Sequence, residues 1–134
     1  MSKKALLALA LASLASCGGD SASESDYQQA VDQANAAHAQ AIALAVPTPC
    51  DSSQQCAILT LASPSAGRCT ISDYHAYSLV SPTADAASAA AANERMLAQQ
   101  AASLSPPTAC PTSIVLPPTA ACVANSCQTA QPAN

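Results

Sequence analysis

An acid, a base and a nucleophile stand close together in the chain: Asp73, His75 and Ser78. These residue types can form a hydrolase triad, but a triad is defined by its geometry and not by closeness in sequence. On an extended strand, Asp73 and His75 share one face while Ser78 takes the other. The segment therefore predicts ordinary surface polar residues, and we expect no catalytic residue and no enzyme activity.

The two histidines, His38 and His75, are candidate metal ligands because imidazole binds zinc and related ions. They lie in different segments of the chain, without the spacing of a paired carboxylate site. Glu94 and Arg95 are adjacent in an alanine-rich helix, which predicts a solvated pair of charges. The chain has three glycines, and they form no phosphate-binding loop. The sequence therefore predicts no metal ion and no cofactor.

A secretory signal pattern precedes Cys17. A positively charged start is followed by an apolar run over residues 5–12 and then by small residues, which is typical of a cleaved signal. The run is shorter than the ~20 residues that a membrane-spanning helix needs. Residues 14–17 (LASC) resemble the lipobox of bacterial lipoproteins. This resemblance implies a signal peptide over residues 1–16, cleavage before Cys17, a diacylglyceryl group on its thiol and a further acyl chain, such as palmitate, on the new N-terminus.

The residue after the lipidated cysteine bears on the location within the envelope. In Gram-negative lipoproteins an aspartate at that position favours retention in the inner membrane. Here Gly18 occupies the position and Asp20 comes later. The resemblance therefore implies a cell-envelope protein of the outer membrane, whose partner is the lipid bilayer through its covalent acyl chains.

Six further cysteines follow in the second part of the chain: Cys50, Cys56, Cys69, Cys110, Cys122 and Cys127. An even number in an exported protein predicts three disulfides, although the sequence leaves their pairing open. The alternative is a zinc site, but neither the C-x5-C nor the C-x4-C pair has a histidine close to it. A C-x-x-C pair, typical of thiol-redox catalysts, does not occur in the sequence.

Charge excludes one class of partner. Removal of residues 1–16 also removes both lysines, so that Arg68 and Arg95 face eight acidic residues. A chain of this kind cannot neutralise phosphates, and we expect no nucleic acid partner.

The chain after the signal divides into three parts. Residues 17–25 are small and polar and predict a flexible tether. Residues 26–46 are rich in alanine and glutamine and predict a helix, with Asp26 near its N-terminus and Pro47 ending it. Residues 47–134 contain the six cysteines and predict the folded domain.

The elements predicted in this domain follow the order β-β-α-β-β, an α+β fold stapled by disulfides. An apolar run bounded by turn signals predicts a strand at 56–62, and strand-like spacing of Tyr, Ile and Val predicts another at 69–80. Residues 110–116 and 121–129 predict two short strands or extended segments, the second with a turn at 124–126. A helix is predicted from the Ser81–Thr83 cap to about residue 103. Ala90, Glu94, Leu97, Ala101 and Leu104 lie near its predicted buried edge, but Glu94 interrupts this edge, so the sequence leaves open which face is buried.

The order of the cysteines and of the elements between them resembles a group of small six-cysteine bacterial envelope proteins. The shared features over about residues 50–128 are the C-x5-C pair, a strand, the third cysteine, a Tyr-x-x-Tyr-Ser stretch, an alanine-rich helix and the final C-x4-C pair. That group carries no activity over to this chain. We expect a small binding or interaction module for an envelope protein or ligand, with a passive structural surface lipoprotein as the alternative.

Overall fold

A computed structural model describes residues 23–63, 69, 71–107, 109–110 and 116–131. These residues form two α-helices, a short 3-10 turn at Ser53–Gln55 and two antiparallel sheets of two strands each. The predicted α+β class, stapled by disulfides, is therefore confirmed. The predicted signal peptide and the lipidation site Cys17 lie outside the described residues.

The first helix, α1, spans Glu24–Leu44 and begins two residues earlier than the sequence predicted. Its N-cap is Ser23, whose hydroxyl accepts a hydrogen bond from the Asp26 amide, while the Asp26 carboxylate accepts from the Ser23 amide. This reciprocal capping box satisfies two amides that a helix end leaves without partners. Asp26 therefore lies at the third helical position, and residues 24 and 25 belong to the helix instead of the tether.

The second helix, α2, spans Ala84–Leu104 and runs antiparallel to α1, since Ala30 packs with Ala101 whereas Ala41 packs with Ala87. Buried residues recur on each helix at intervals of three or four positions and face the other helix. On α1 they are Ala30, Val31, Ala34, Ala37 and Ala41, and on α2 they are Ala84, Ala87, Ala91, Glu94, Ala98 and Ala101. We call these two rows the alanine seam.

The buried edge predicted for α2 was partly wrong. Ala101 is buried as predicted, and Glu94, which was expected to interrupt this edge, is buried as well, but Ala90, Leu97 and Leu104 are only partly buried. Small alanine side chains let two helix backbones approach closely, so the seam excludes the larger leucines. Alanine also occurs on every side of α2, and for this reason apolar periodicity did not identify the buried face.

Strands β1 (Cys56–Ala62) and β2 (Ser72–Ser78) form the first sheet. The bounds predicted for β1 are confirmed, and β2 is shorter than the predicted 69–80. In their register Leu59 lies opposite His75 and Leu61 opposite Asp73, so these four side chains share one face. That face packs against the seam, with both leucines buried in the core.

Strands β3 (Thr119–Val123) and β4 (Ser126–Ala130) form a separate hairpin. The predicted turn is confirmed at Ala124 and Asn125, but the prediction of a single strand over 121–129 was wrong, because both arms of the hairpin pair with each other. Of the strand predicted at 110–116, residues 111–115 lie outside the described residues, and Cys110 and Leu116 are not in a strand.

Three disulfides join these elements, as predicted. Cys50 pairs with Cys122 and Cys56 with Cys127, so two bridges hold the β3–β4 hairpin against the segment that leads into β1. Cys69 pairs with Cys110 and connects the chain after β1 to the chain after α2. Hydrogen bonds add to this attachment: the Cys127 amide donates to the Pro47 carbonyl at 2.8 Å, and the Cys122 amide donates to the Ser53 hydroxyl at 3.2 Å.

The hairpin turn gives a first testable prediction. Ala124 and Asn125 have φ angles of 49° and 63°, and the Asn125 side-chain oxygen accepts a hydrogen bond from the Cys50 amide at 3.2 Å. We expect Asn125→Ala to lower the free energy of unfolding by about 2 kcal/mol, from lost hydrogen bonding and left-handed backbone cost. Asn125→Gly keeps the backbone conformation and should cost about 1 kcal/mol less than alanine. Urea unfolding measures both, and equal losses would contradict the backbone contribution.

Candidate functional site

Four ionisable side chains meet where the two helices cover the first sheet. His38 comes from α1, Glu94 from the alanine seam of α2, and Asp73 and His75 from the helix-facing side of β2. They interrupt an interface that is otherwise apolar and made of alanine and leucine. We call these residues the polar cluster.

Asp73 lies between the two histidines. Its Oδ2 atom is 3.0 Å from His75 Nε2 and 3.4 Å from His38 Nε2. The hydrogen bond from His75 holds the pKa of the Asp73 carboxyl below its ordinary value; partial burial opposes this shift, and the charges of His75 and His38 and the Tyr74 amide reinforce it. Asp73 is therefore an ionised acceptor at neutral pH.

The other ring nitrogen of His38 faces inward. His38 Nδ1 lies 3.2 Å from the carbonyl oxygen of Ala62 and 3.6 Å from Glu94 Oε1. The Ala62 amide in turn donates to Glu94 Oε2 at 3.1 Å. The last residue of β1 thus links His38 and Glu94 through its two backbone polar groups, which fixes the side chain of each.

Glu94 is fully buried, with no measurable exposure. Within the described part of the chain, no hydrogen-bond partner lies in range of its Oε1 atom, which points to His38 Nδ1. Burial of a carboxylate costs free energy unless the group is paired or hydrogen-bonded, so a cation next to this oxygen would stabilise the folded protein. The prediction of a solvated Glu94–Arg95 pair was therefore wrong: the seam places Glu94 inside, whereas the Arg95 guanidinium lies outside and donates to the Thr60 carbonyl at 3.0 Å.

The structure brings some of the residues singled out from the sequence together and keeps others apart. His38 and His75, expected in unrelated places, are brought to the same carboxylate. Asp73 and His75 share a face, as predicted for a strand. Ser78 is buried at the opposite end of β2, where its hydroxyl donates to the Pro49 carbonyl, so these three residues form no triad.

A shallow cavity of about 180 Å³ lies beside the cluster, between the end of β1 and α2. Ala62 and Arg95 are among the residues that line it. Small-molecule sites usually have volumes of about 300 Å³ or more. The cavity does not by itself indicate a ligand, and the polar cluster remains the stronger candidate site.

In the described ranges, neither helix is long and apolar enough to cross a membrane. Comparison of the chain with protein-family models, with curated proteins and with solved structures finds no match. The case for a function therefore depends on the chain's own residues and geometry.

Proposed function

We propose that this protein is a lipid-anchored lipoprotein of the bacterial cell envelope whose disulfide-stapled domain acts as a binding module. The lipobox-like residues 14–17, behind a signal-like segment, support the anchor. A diacylglyceryl group and an N-terminal acyl chain hold a protein at a bilayer without help from the polypeptide. The tether then carries the domain away from the membrane surface.

The three disulfides are the observation that carries this proposal. Structural disulfides form and persist in exported proteins, whereas the cytosol keeps thiols reduced. All six cysteines after Cys17 are paired, and two of the bridges link residues more than seventy positions apart. Such bridges compensate for a core made of alanine and a few leucines, and they keep the binding surface rigid.

The polar cluster favours a binding role over a passive structural one. It lies on α1, α2 and β2, and sites built on helices and strands hold their geometry better than sites on loops. The His75 side chain is one-third exposed and that of Asp73 about one-half exposed, so a ligand can reach both. The buried Glu94 carboxylate behind His38 is costly to maintain in a protein whose only role is structural.

Substitution of Cys17 tests the anchor. We expect Cys17→Ala, expressed with its own signal in a Gram-negative host, to lose its acyl chains and to leave the detergent-rich phase on phase partitioning. The unchanged protein should remain in that phase and incorporate labelled palmitate. Equal partitioning of both proteins, without label in either, would contradict lipidation at Cys17.

Substitution of Gly18 tests which of the two membranes holds the protein. Gly18→Asp places an aspartate directly after the lipidated cysteine and is expected to shift the protein from the outer to the inner membrane on density-gradient fractionation. Ser21→Asp adds the same charge farther along the tether and serves as the matched control, with no shift expected. An inner-membrane location for the unchanged protein would contradict the outer-membrane assignment.

A further inference from the structure

We propose that the polar cluster binds one divalent transition metal ion of the zinc class, with His38, Asp73 and His75 as ligands and Glu94 as the residue that positions His38. The inference builds on the proposed function, because it names the ligand of the binding module. Three observations support it: the types of the donor atoms, the distances between them, and the buried Oε1 atom of Glu94, which has no hydrogen-bond partner among the described residues.

The donor set suits such an ion. Imidazole nitrogens bind zinc, copper, nickel and iron, and a single carboxylate oxygen is a common companion ligand. One donor atom from each of His38, Asp73 and His75 lies within 4.8 Å of the other two. In a tetrahedral zinc site with bonds of about 2.0–2.1 Å, two donors lie about 3.4 Å apart. The observed distances from Asp73 Oδ2 to the histidine nitrogens are 3.4 Å for His38 and 3.0 Å for His75, so the first pair already has this spacing and the second needs only a slight separation.

The tautomer of His38 is favourable for metal binding. Its Nδ1 atom faces the Ala62 carbonyl and Glu94 Oε1, both acceptors, and this places a proton on Nδ1. In the neutral ring Nε2 then offers a lone pair toward Asp73 Oδ2. A lone pair and a carboxylate at 3.4 Å repel each other unless a cation, either a proton or a metal ion, joins them.

Glu94 provides a second and independent argument. Histidines that bind metals usually donate their other N–H to a carboxylate or a backbone carbonyl, which fixes the ring and makes it a better ligand. Here the fully buried Glu94 directs its unpartnered Oε1 at His38 Nδ1, at 3.6 Å. When Nε2 binds a metal ion the Nδ1 proton becomes a stronger donor, and a small rotation of the ring or of the Glu94 carboxylate changes this contact into a charge-assisted hydrogen bond. The charges of Asp73 and Glu94 together balance those of a divalent cation.

The geometry leaves room for a further ligand. His75 and Asp73 are partly exposed, so a water molecule or a group from a partner can complete the coordination from the solvent side. In the bound form the His75 proton leaves Nε2, either for Nδ1 or for solvent, and the Nε2 lone pair binds the ion. The sulfur atoms of Cys50, Cys56 and Cys122 also lie within 4.8 Å of one another, but their disulfides remove the thiolates that zinc requires.

Zinc titration of the oxidised lipoprotein, extracted from membranes in detergent, tests the proposal. We expect one zinc ion per chain by isothermal titration calorimetry. His75→Ala and Asp73→Asn should each lower the affinity about a hundredfold, and Glu94→Gln about tenfold. Asp32→Asn removes the same charge from an exposed acid of α1 and serves as the matched control for Asp73→Asn, with unchanged affinity expected.

Cobalt(II) reports on the ligands directly. We expect visible bands of a site with nitrogen and oxygen ligands, without the intense near-ultraviolet absorption of cobalt–thiolate bonds. Glu94→Gln should shift these bands while circular dichroism shows an intact fold, which a purely structural role for Glu94 would not do. Absence of zinc binding, binding that survives both His75→Ala and Asp73→Asn, or a thiolate spectrum would each overturn the metal site. Lipidation is measured separately, from the intact mass of the same sample, so that failure of the metal site can be distinguished from failure of the lipid anchor.

Discussion

Replacement of Cys50 and Cys122 together by serine is expected to lower the free energy of unfolding by about 3 kcal/mol. The Cys56–Cys127 bridge still closes the long loop in this variant, so the replacement opens only the short ring formed by residues 50–56 and 122–127 in the unfolded chain. The folded domain has little else to compensate for the lost bridge, since the largest fully buried apolar side chain among the described residues is Leu61 and most of the buried apolar residues there are alanines. Urea unfolding followed by far-ultraviolet circular dichroism measures the loss.

The bridge between Cys69 and Cys110 supplies the matched comparison. With the other bridges intact it closes a larger ring of the unfolded chain than Cys50–Cys122 does, so the same double replacement should cost slightly more than the loss at Cys50 and Cys122. The remaining Cys56–Cys127 bridge keeps the β3–β4 hairpin attached in both variants. A loss below about 1 kcal/mol for the Cys50 and Cys122 variant would contradict the account in which long-range bridges supply much of the stability.

Replacement of His38 by alanine is expected to lower the free energy of unfolding by about 2–3 kcal/mol, the upper part of the range for a buried polar group that loses its partner. The substitution removes the ring nitrogen that faces the buried Glu94 Oε1, and the Ala62 carbonyl loses its hydrogen-bond partner. Chemical unfolding in the presence of a chelator measures this structural effect without any contribution from bound metal.

Two further variants separate charge from packing. His75→Ala removes a partly exposed ring whose partner Asp73 is itself half exposed, so the expected loss is under about 1 kcal/mol. Glu94→Gln in the His38→Ala background removes the buried charge but keeps an acceptor for the Ala62 amide, and it should restore part of the stability. A double variant that is less stable than His38→Ala alone would show that Glu94 does not need the imidazole.

Local chemistry explains the parts of the fold that the sequence predicted well. Strand β1 runs from Cys56 to Ala62 as predicted, because a short, largely apolar run is followed by a cluster of turn-forming residues. The turn at Ala124 and Asn125 was predicted because asparagine tolerates the left-handed conformation. The predicted start of α1 was two residues too late. Ser23 and Asp26 form a capping box, but Ser23 belongs to a small, polar segment whose composition predicted a flexible tether.

The polar cluster was not predicted from the sequence, because its contacts join residues from different segments of the chain. His38 and Asp73 are 35 positions apart, and only the packing of α1 on β2 brings them together. The sequence did contain one signal that went unused: Glu94 occupies a position in a row otherwise made of alanine, at the spacing Ala91, Glu94, Ala98. A charged residue in such a row indicates a buried partner on the facing helix. Because the other faces of α2 also contain alanine, the apolar pattern did not distinguish that row from them.

Intact mass spectrometry tests the central claim most directly, namely that the protein is exported, lipidated at Cys17 and closed by three disulfides. The protein is expressed with its own signal, extracted from membranes and measured before and after reduction. The account predicts a chain that begins at Cys17, carries a diacylglyceryl group and an N-terminal acyl chain, and gains two hydrogens for each of its three disulfides. An unlipidated mass, or free thiols before reduction, would contradict it.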